Sequence, residues 1–90
     1  MQYVYILFSE KDRKLYIGFS SNLRSRWKAH IGGFVKATQN RRPLKLIYYE
    51  SYSSMLDARR REKYLKGGNG RAELKIQLQD ILESLKYKNL

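Results

Sequence analysis

Residues 2–8 read QYVYILF and residues 14–19 read KLYIGF, and these two apolar runs decide the fold of the chain. Both are rich in aromatic and β-branched side chains, which are typical of strands. The stretch between them, SEKDR, is polar and suits a turn. The pattern therefore predicts that the chain opens with a β-hairpin.

Alternation along the two predicted strands sorts their side chains into two faces. If Phe8 lies opposite Arg13, then Tyr5 lies opposite Tyr16. One face then carries the predicted core residues Val4, Ile6, Leu15, Ile17 and Phe19. The other face carries Tyr3, Tyr5, Tyr16 and Gly18. The glycine leaves space above its strand for a ligand, although tyrosines that simply fill half-buried sheet positions are the alternative explanation.

The rest of the chain predicts one further strand and three helices. Helical periodicity places the helices at residues 22–31, 54–66 and 71–87, and β-branched and aromatic content places the strand at residues 44–52. The GGNG sequence separates the second helix from the third. The element order is ββαβαα, and the predicted fold is an α/β layer structure of the α+β type, a small three-stranded antiparallel sheet flanked by three helices.

Length and composition limit the possible classes of protein. A chain of 90 residues makes one domain, 1–90, because it has no room for a second core. Cysteine is absent, which excludes disulfides and thiolate zinc sites and suits the cytoplasm, where we expect the protein to act. The apolar run at the N-terminus is too short to span a membrane and has neither the basic flank nor the cleavage site of a signal peptide.

The charge is strongly positive and unevenly distributed. Lys and Arg number 19 against 8 Asp and Glu, and from Arg13 to Tyr49 every residue charged at neutral pH is Lys or Arg. We call residues 13–49 the acid-free segment. A stretch of one sign attracts polyanions, so it favours a nucleic-acid partner over a merely solubilising surface. A membrane partner is not expected, because it requires an exposed apolar helix face and the apolar stripes here are needed for the core.

The first predicted helix adds two polar side chains beside the tyrosine face. Its apolar stripe consists of Leu23, Trp27 and Ile31 and is predicted to face the core. Arg26 and His30 lie together on one flank of that stripe, one helical turn apart. A structural histidine and a solvated arginine are the alternatives, but their position in the acid-free segment favours contact with phosphate.

Glu62 occupies the middle of the apolar stripe of the second predicted helix, near Met55, Ala58 and Leu65. A carboxylate on the inner side of a helix needs a partner. An ion pair with one of the arginines before it, Arg59, Arg60 and Arg61, is the structural explanation. We favour a ligand of Mg²⁺ or Mn²⁺, because one carboxylate suffices where substrate phosphate and water complete the coordination.

Several of these motifs, in this order and spacing, resemble the GIY-YIG nuclease family. They are Tyr3-Val4-Tyr5, Tyr16-Ile17-Gly18, Asn22-Leu23 with Arg26 and His30, and Arg61-Glu62-Lys63. The resemblance covers nearly the whole chain. It is to the small stand-alone bacterial members, which are similar to the N-terminal nuclease module of the bacterial excision-repair endonuclease. Tyr3 stands where the first glycine of the family name would be, which we interpret as a subfamily substitution.

The resemblance implies a metal-dependent endonuclease that hydrolyses phosphodiester bonds in DNA, as in DNA repair, with one Mg²⁺ or Mn²⁺ ion. Carried over by position, it makes Glu62 the sole protein ligand of the metal and Arg26 the phosphate clamp. Tyr5 and Tyr16 would be the phenols at the scissile phosphate, one as the base and the other as the orienting group. His30 would assist or contact phosphate.

The remaining predicted residues bind substrate. Gly18 would keep room for the DNA, and the other substrate-binding candidates are Asn22, Arg24, Lys28, Arg41 and Arg42. RNA is the alternative substrate. We expect a monomer, and a separate protein for targeting is the other partner considered, because the chain has no attached targeting module.

Two other functions remain open at this point. The first is a nucleic-acid-binding module that keeps the fold without the chemistry, although pure binding does not require a carboxylate on an inner helix stripe. The second is an interaction subunit whose third helix docks a partner. The apolar residues of that helix, Leu74, Leu78, Ile81 and Leu85, are instead expected to cover the sheet.

Overall fold

The computed structural model describes residues 1–87, and the last three residues of the predicted domain lie outside them. The strands are β1 (Gln2–Ser9), β2 (Leu15–Ser20) and β3 (Leu44–Tyr52). The helices are α1 (Leu23–Ile31), α2 (Met55–Lys66), α3 (Gly68–Gln77) and α4 (Gln79–Ser84), with a 3-10 helix at Gln39–Arg41 before β3. Within residues 1–87, no helix has the length and apolar character needed to cross a membrane.

The three strands form one antiparallel sheet in the order β2-β1-β3, which confirms the predicted hairpin and the α+β fold. The predicted hairpin register was wrong. Phe8 pairs with Leu15 rather than Arg13, and Tyr5 pairs with Gly18 rather than Tyr16. Because side chains alternate with a period of two, this slip of two residues leaves both predicted faces unchanged.

The turn of the hairpin is longer than predicted because its backbone makes hydrogen bonds of its own. The Ser9 hydroxyl accepts hydrogen bonds from the amides of Lys11 and Asp12, at 3.2 and 3.1 Å. Arg13 adopts a left-handed φ of 57°, and the Asp12 carboxylate accepts from the Lys14 amide at 2.9 Å. These contacts keep Arg13 in the turn, so strand pairing begins only at Leu15.

The core lies between one face of the sheet and the helices that follow β3, as predicted. The sheet contributes Val4, Ile6, Phe8, Leu15 and Ile17, and the helices contribute Ala58, Leu65, Leu74, Leu78 and Leu82. Ile47 is the extra residue in β3, since Ile6 pairs with Tyr48 while Leu7 pairs with Leu46. This β-bulge bends the strand.

The third predicted helix, 71–87, is two helices, so four flank the sheet within residues 1–87 instead of the predicted three. Leu74, Leu78 and Leu82 are buried, whereas the predicted core residue Ile81 is exposed. Residues spaced by four advance about 40° beyond a full turn at each step, so the three leucines lie within about 80° of one another, on one stripe of a helix. All three stay buried across the break at Leu78.

The GGNG sequence was predicted to separate two helices, but most of it is helical. Gly67 ends α2, and Gly68 to Gly70 form the first turn of α3. Gly70 is needed for packing: a Cβ at this position would collide with the Tyr64 carbonyl and the Leu65 Cα. The missing side chain therefore lets α3 cross closely over the end of α2.

Arg61 and Glu50 tie helices α2 and α3 to strand β3. Arg61 donates from Nε and Nη2 to the Glu50 carboxylate, each at 3.0 Å, and its Nη2 lies 3.4 Å from Glu73. Tyr48 and Tyr52 donate to the same carboxylate at 2.8 and 2.6 Å. Burial alone would raise the pKa of Glu50, but the hydrogen bonds from Arg61 and the tyrosines outweigh it and lower that pKa.

Candidate active site

The tyrosine face of the sheet brings three aromatic rings together beneath α1. The ring centroids of Tyr5 and Tyr16 are 6.4 Å apart, and His30 lies 5.6 Å from the first and 5.3 Å from the second. The strands supply the phenols because Tyr5 and Tyr16 share a face. Helix α1 supplies the imidazole. Asn22 caps that helix, since its side chain accepts a hydrogen bond from the Ser25 amide at 3.0 Å.

His30 is fully buried and links the sheet to the loop after α1. Its Nε2 lies 2.8 Å from the Tyr5 hydroxyl, and its Nδ1 lies 2.7 Å from the Thr38 hydroxyl. A neutral imidazole donates from one nitrogen and accepts at the other, and each hydroxyl can do either. Both tautomers are therefore satisfied, because the two hydroxyls can exchange the roles of donor and acceptor.

The predicted role of His30, to assist or to contact phosphate, stays a prediction, and the structure gives this side chain partners within the fold. Burial, together with the nearby charge of Arg26, lowers the pKa of His30 to about 4. The ring is neutral at physiological pH, and both of its nitrogens already have partners within the fold. His30 therefore positions Tyr5.

The predicted inner stripe of α1 was also wrong. Leu23 and Trp27 are only partly buried and Ile31 is exposed, whereas His30 is the buried residue of this helix. The side of α1 that faces the sheet meets phenols instead of aliphatic side chains. A polar ring with two hydrogen-bond partners fits that environment better than leucine or isoleucine.

Tyr5 fills the space that was predicted to receive the substrate. A Cβ at Gly18 would collide with the Tyr5 ring and hydroxyl, so the glycine makes room for a side chain of the same protein. Burial raises the pKa of Tyr5, the guanidinium of Arg26 partly offsets this, and the negative charge of Glu62 raises it slightly. Tyr5 is therefore a neutral phenol at physiological pH. Tyr16 is less buried and lies closer to solvent.

Arg26 places an exposed positive charge beside both phenols. Interaction with the Tyr5 hydroxyl raises the pKa of Arg26, and Tyr16 contributes in the same direction. The guanidinium stays charged at every physiological pH. Its exposed position leaves its donors accessible to a phosphate from solvent.

Glu62 lies on α2 within electrostatic range of Tyr5. Its side chain is 14% exposed, and its partners are on the same helix: Lys66 Nζ at 2.9 Å and Arg59 Nη1 at 3.7 Å. Both partner side chains are more than half exposed. Of the three arginines considered as ion-pair partners, Arg59 lies near Glu62, whereas Arg61 binds Glu50 and Glu73.

Sequence comparison places this constellation in a known family. The family model described as the GIY-YIG catalytic domain matches residues 1–75, which contain both phenols, Arg26, His30 and Glu62. The chain belongs to the GIY-YIG family. The resemblance to this family that was predicted from the sequence is thereby confirmed.

Curated relatives of this GIY-YIG chain are small UPF0213 proteins. One from Clostridium perfringens is 46% identical over 67 residues, which are 73% of this chain and 71% of that protein. One from Staphylococcus haemolyticus is 40% identical over 75 residues, 82% of this chain and 90% of the relative. One from Limosilactobacillus reuteri is 34% identical over 89 residues, 96% and 92% of the two chains. No solved structure matches the sequence.

A GIY-YIG domain implies a divalent cation, and the donor set here fits one that binds together with a substrate. Within residues 1–87, no cluster of three His, Cys, Asp or Glu side chains could hold a metal ion by itself. Glu62 offers one carboxylate. Mg²⁺ is commonly bound through one or two carboxylates plus substrate phosphate and water, so Glu62 fits such an ion and does not fit a preformed cage.

The other predicted substrate residues of this GIY-YIG domain divide into two groups. Arg24 and Lys28 are exposed on α1, and neither has an ion-pair partner among residues 1–87. Arg41 is held by the fold, since its Nε lies 2.6 Å from the Asp12 carboxylate and its Nη2 lies 3.4 Å from the Leu15 carbonyl. The roles of Arg24, Lys28 and Arg41 in substrate binding stay predictions. Arg41 also has a structural role, because its side chain binds Asp12 and the Leu15 carbonyl.

Arg42 and Thr38 have structural contacts that the sequence did not indicate. Arg42 donates to the carbonyls of Gln39 at 3.1 Å and Ile31 at 3.4 Å, which closes the end of α1. Thr38 is buried against His30. It lies in a polar loop without periodicity, so no sequence pattern marks it as a partner of the histidine.

Proposed function

We propose that this protein is a metal-dependent endonuclease that hydrolyses phosphodiester bonds in DNA. The observation that carries the proposal is the convergence of an exposed guanidinium, Arg26, on two phenols at one face of the sheet, within electrostatic range of the Glu62 carboxylate. Membership of the GIY-YIG family supports the same class of reaction. The acid-free segment favours a polyanionic substrate.

Arg26 binds the scissile phosphate. Water attacks the phosphorus and releases a proton to solvent, the bond to the leaving sugar oxygen breaks, and that oxygen takes up a proton. Negative charge accumulates on the phosphoryl oxygens between the attack and the bond cleavage. The fork of the guanidinium can donate two hydrogen bonds to those oxygens. Arg26 already lies beside both phenols, so its positive charge is at the site before negative charge develops on the phosphate.

The two phenols have different roles. Tyr5 is buried, protonated and bonded to His30, so it acts as an orienting donor. Tyr16 is more accessible and lies beside Arg26, so it is the phenol that accepts a hydrogen bond from the attacking water. The chain from Thr38 through His30 fixes the position of the Tyr5 hydroxyl.

Glu62 would hold the divalent cation. Such an ion, when bound, supplies positive charge that stabilises the phosphate oxygens and eases deprotonation of water. When no metal is bound, Lys66 and Arg59 neutralise the Glu62 carboxylate. Their side chains are exposed, so they can move away from it at low energetic cost. One Mg²⁺ or Mn²⁺ ion is therefore expected only with DNA present.

The proposed substrate is DNA, bound by a monomer. Both basic residues of α1 that lack an ion-pair partner within residues 1–87, Arg24 and Lys28, lie on the same helix as Arg26 and would contact neighbouring phosphates. RNA is tested beside DNA in the experiment below.

The test is cleavage by wild type and by Glu62→Gln. Labelled duplex, single-stranded and branched DNA, and RNA of the same sequence, are incubated with Mn²⁺ or Mg²⁺ or with EDTA. We expect metal-dependent cleavage by wild type and none by the variant, since the amide removes the anionic ligand. DNA binding should persist or tighten, because a negative charge leaves the phosphate site.

The matched control is Glu83→Gln, which removes an exposed glutamate from α4 and should cleave as wild type does. The Glu62→Gln melting temperature should stay close to that of wild type, because both ion-pair partners are exposed. Binding without cleavage by wild type on any nucleic acid in the panel would overturn the proposal and leave the non-catalytic binding module.

A further inference from the structure

Phe34 is the most exposed large apolar side chain within residues 1–87, at 84%. Two glycines separate it from the end of α1, and it belongs to the acid-free segment. Burial of an aromatic ring stabilises a protein, and Phe34 contributes little of this stabilisation because its ring is exposed. An exposed ring of this size therefore indicates contact with a binding partner.

The chain around Phe34 is well ordered by hydrogen bonds, and it does not use the ring. Gly33, at a φ of +80°, donates to the His30 carbonyl at 3.2 Å, and Phe34 donates to the Ala29 carbonyl at 2.9 Å. This pair of bonds is the Schellman ending of a helix, in which the residue at the position of Phe34 commonly packs on the residue at the position of Ala29. Here the ring instead lies over Gly32 and stays exposed.

The same hydrogen bonds hold Phe34 close to the active site. Its amide is bonded to the residue before His30, and His30 is bonded to Tyr5. The Thr38 hydroxyl closes the loop on the other side of Phe34 by bonding to His30. The Cα atoms of Phe34 and His30 are at most about 14 Å apart, the extended length of the chain between them.

The surroundings of Phe34 are cationic. Lys28 and Lys36 are exposed on either side of it in the chain, and the guanidinium of Arg42 lies over Gly33. An exposed aromatic ring among cations, with no acidic residue in the segment, matches the combination used to bind the bases and phosphates of single-stranded nucleic acid.

We propose that Phe34 stacks on an unpaired base of DNA bound at the active site. This inference rests on the proposed function and specifies its substrate class: DNA with unpaired bases beside the scissile phosphate, as in single strands, flaps and branches, in preference to continuous duplex. In a continuous duplex every base is already stacked, so the ring gains a partner only where the stack is interrupted.

The comparison with other exposed apolar residues favours DNA over a protein partner. Leu56 and Ile76 are also largely exposed, but they are aliphatic and lie on α2 and α3, outside the acid-free segment. A second copy of this chain carries the same positive charge and would be repelled by the cations around Phe34.

The test measures binding in EDTA, without cleavage, at constant ionic strength. Fluorescence anisotropy gives the affinity of wild type and variants for a labelled single strand and for the same strand annealed to its complement. Phe34→Ala should weaken binding of the single strand by about tenfold or more, the loss typical of one base-stacking contact, and change duplex binding by less than about twofold.

Three further variants identify the interaction. Phe34→Trp should bind the single strand at least as well as wild type, because it keeps a stacking ring, and Phe34→Leu should lose most of the affinity, because it is apolar without one. Ile76→Ala, the matched exposed control, should bind as wild type does. Melting temperatures of the Phe34 variants should be unchanged, because the ring is exposed.

Two results would overturn the inference. One is an equal loss of single-strand and duplex affinity in Phe34→Ala, or full affinity in Phe34→Leu. The other is a wild-type dimer in analytical ultracentrifugation that Phe34→Ala dissociates, which would make the ring a contact between copies. Because binding is measured without metal, a protein that fails to cleave DNA can still show the stacking preference, and an active nuclease can lack it.

Discussion

Protonation of a single side chain, His30, makes the stability of the fold depend on pH. Its pKa is about 4 in the folded protein, against an ordinary value of about 6.5. As the pH falls below 6.5, the unfolded chain takes up a proton that the folded chain does not accept until about pH 4. The contribution of His30 to the free energy of unfolding is therefore complete above pH 6.5. It decreases as the pH falls towards 4, by about 3 kcal/mol in total.

We therefore expect the melting temperature, followed by circular dichroism, to fall by about 10 °C between pH 7 and pH 5. His30→Gln keeps a donor and an acceptor but cannot titrate, so its melting temperature should change much less over the same range. An equal fall in both proteins would assign the pH dependence to other groups.

Arg26 supplies the second prediction at this scale. Arg26→Ala should lower the rate of DNA cleavage by about a hundredfold or more, as for other lost charge-stabilising donors, and leave the melting temperature unchanged. Arg26→Lys should restore little, because an ammonium cannot reproduce the guanidinium fork. Arg71→Ala removes the same charge from α3 and should cleave normally. Wild-type rates in single-turnover assays of Arg26→Ala would remove Arg26 from the site.

The side chains of the site were easier to predict from sequence than their environments. Alternation and helical spacing placed Tyr5, Tyr16, Arg26 and His30 side by side, since both depend only on local geometry. The burial of His30 depends on Thr38, and the space over Gly18 depends on the rotamer of Tyr5. Both are contacts between segments distant in sequence, which periodicity does not encode.

At the scale of elements, the ion pair between Arg61 and Glu50 fastens α2 to β3. Their side chains are 21% and 13% exposed, whereas Arg60 and Asp57, paired at 3.1 Å on the surface of α2, are 75% and 57% exposed. Arg61→Ala strands a largely buried carboxylate and should lower the free energy of unfolding by about 3 kcal/mol. The adjacent Arg60→Ala should cost less than about 1 kcal/mol.

Urea denaturation of the two arginine variants measures the difference. Similar midpoints would mean that the network around Glu50 contributes no more than a surface pair. If Arg61→Ala also impairs cleavage, the residual activity should be compared at temperatures where the variant is fully folded.

Most elements were predictable from the sequence, and the errors are confined to a turn, a helix break and a glycine-rich stretch. The strands and the first two helices agree with the sequence because their periodicity is strong and their ends carry recognisable residues, such as Asn22. The register of the hairpin differs because hydrogen bonds within the turn decide it: the Ser9 hydroxyl accepts from the amides of Lys11 and Asp12. The spacing of the leucines does not explain the break at Leu78. The stretch from Gly68 to Gly70 looked like a loop because the packing of Gly70 against α2 is not visible in sequence.

At the scale of the whole molecule, the net charge of +11 predicts how DNA affinity responds to salt. Each phosphate contact releases condensed counterions, so the affinity for duplex DNA should fall by about a hundredfold or more between 50 and 200 mM salt if several contacts form. Oligonucleotides of unrelated sequence should behave alike, because phosphate contacts carry no sequence information. A nearly flat plot of log affinity against log salt would contradict this.

The bulge at Ile47 has a consequence for the behaviour of the protein at high concentration. In the described sheet β3 is an edge strand, and a straight edge of unpaired amides and carbonyls invites a second chain to add on and start a fibril. The extra residue bends this edge, and the exposed Lys45 adds a charge to it. A small protein with an open sheet is thereby protected from aggregating through its own backbone.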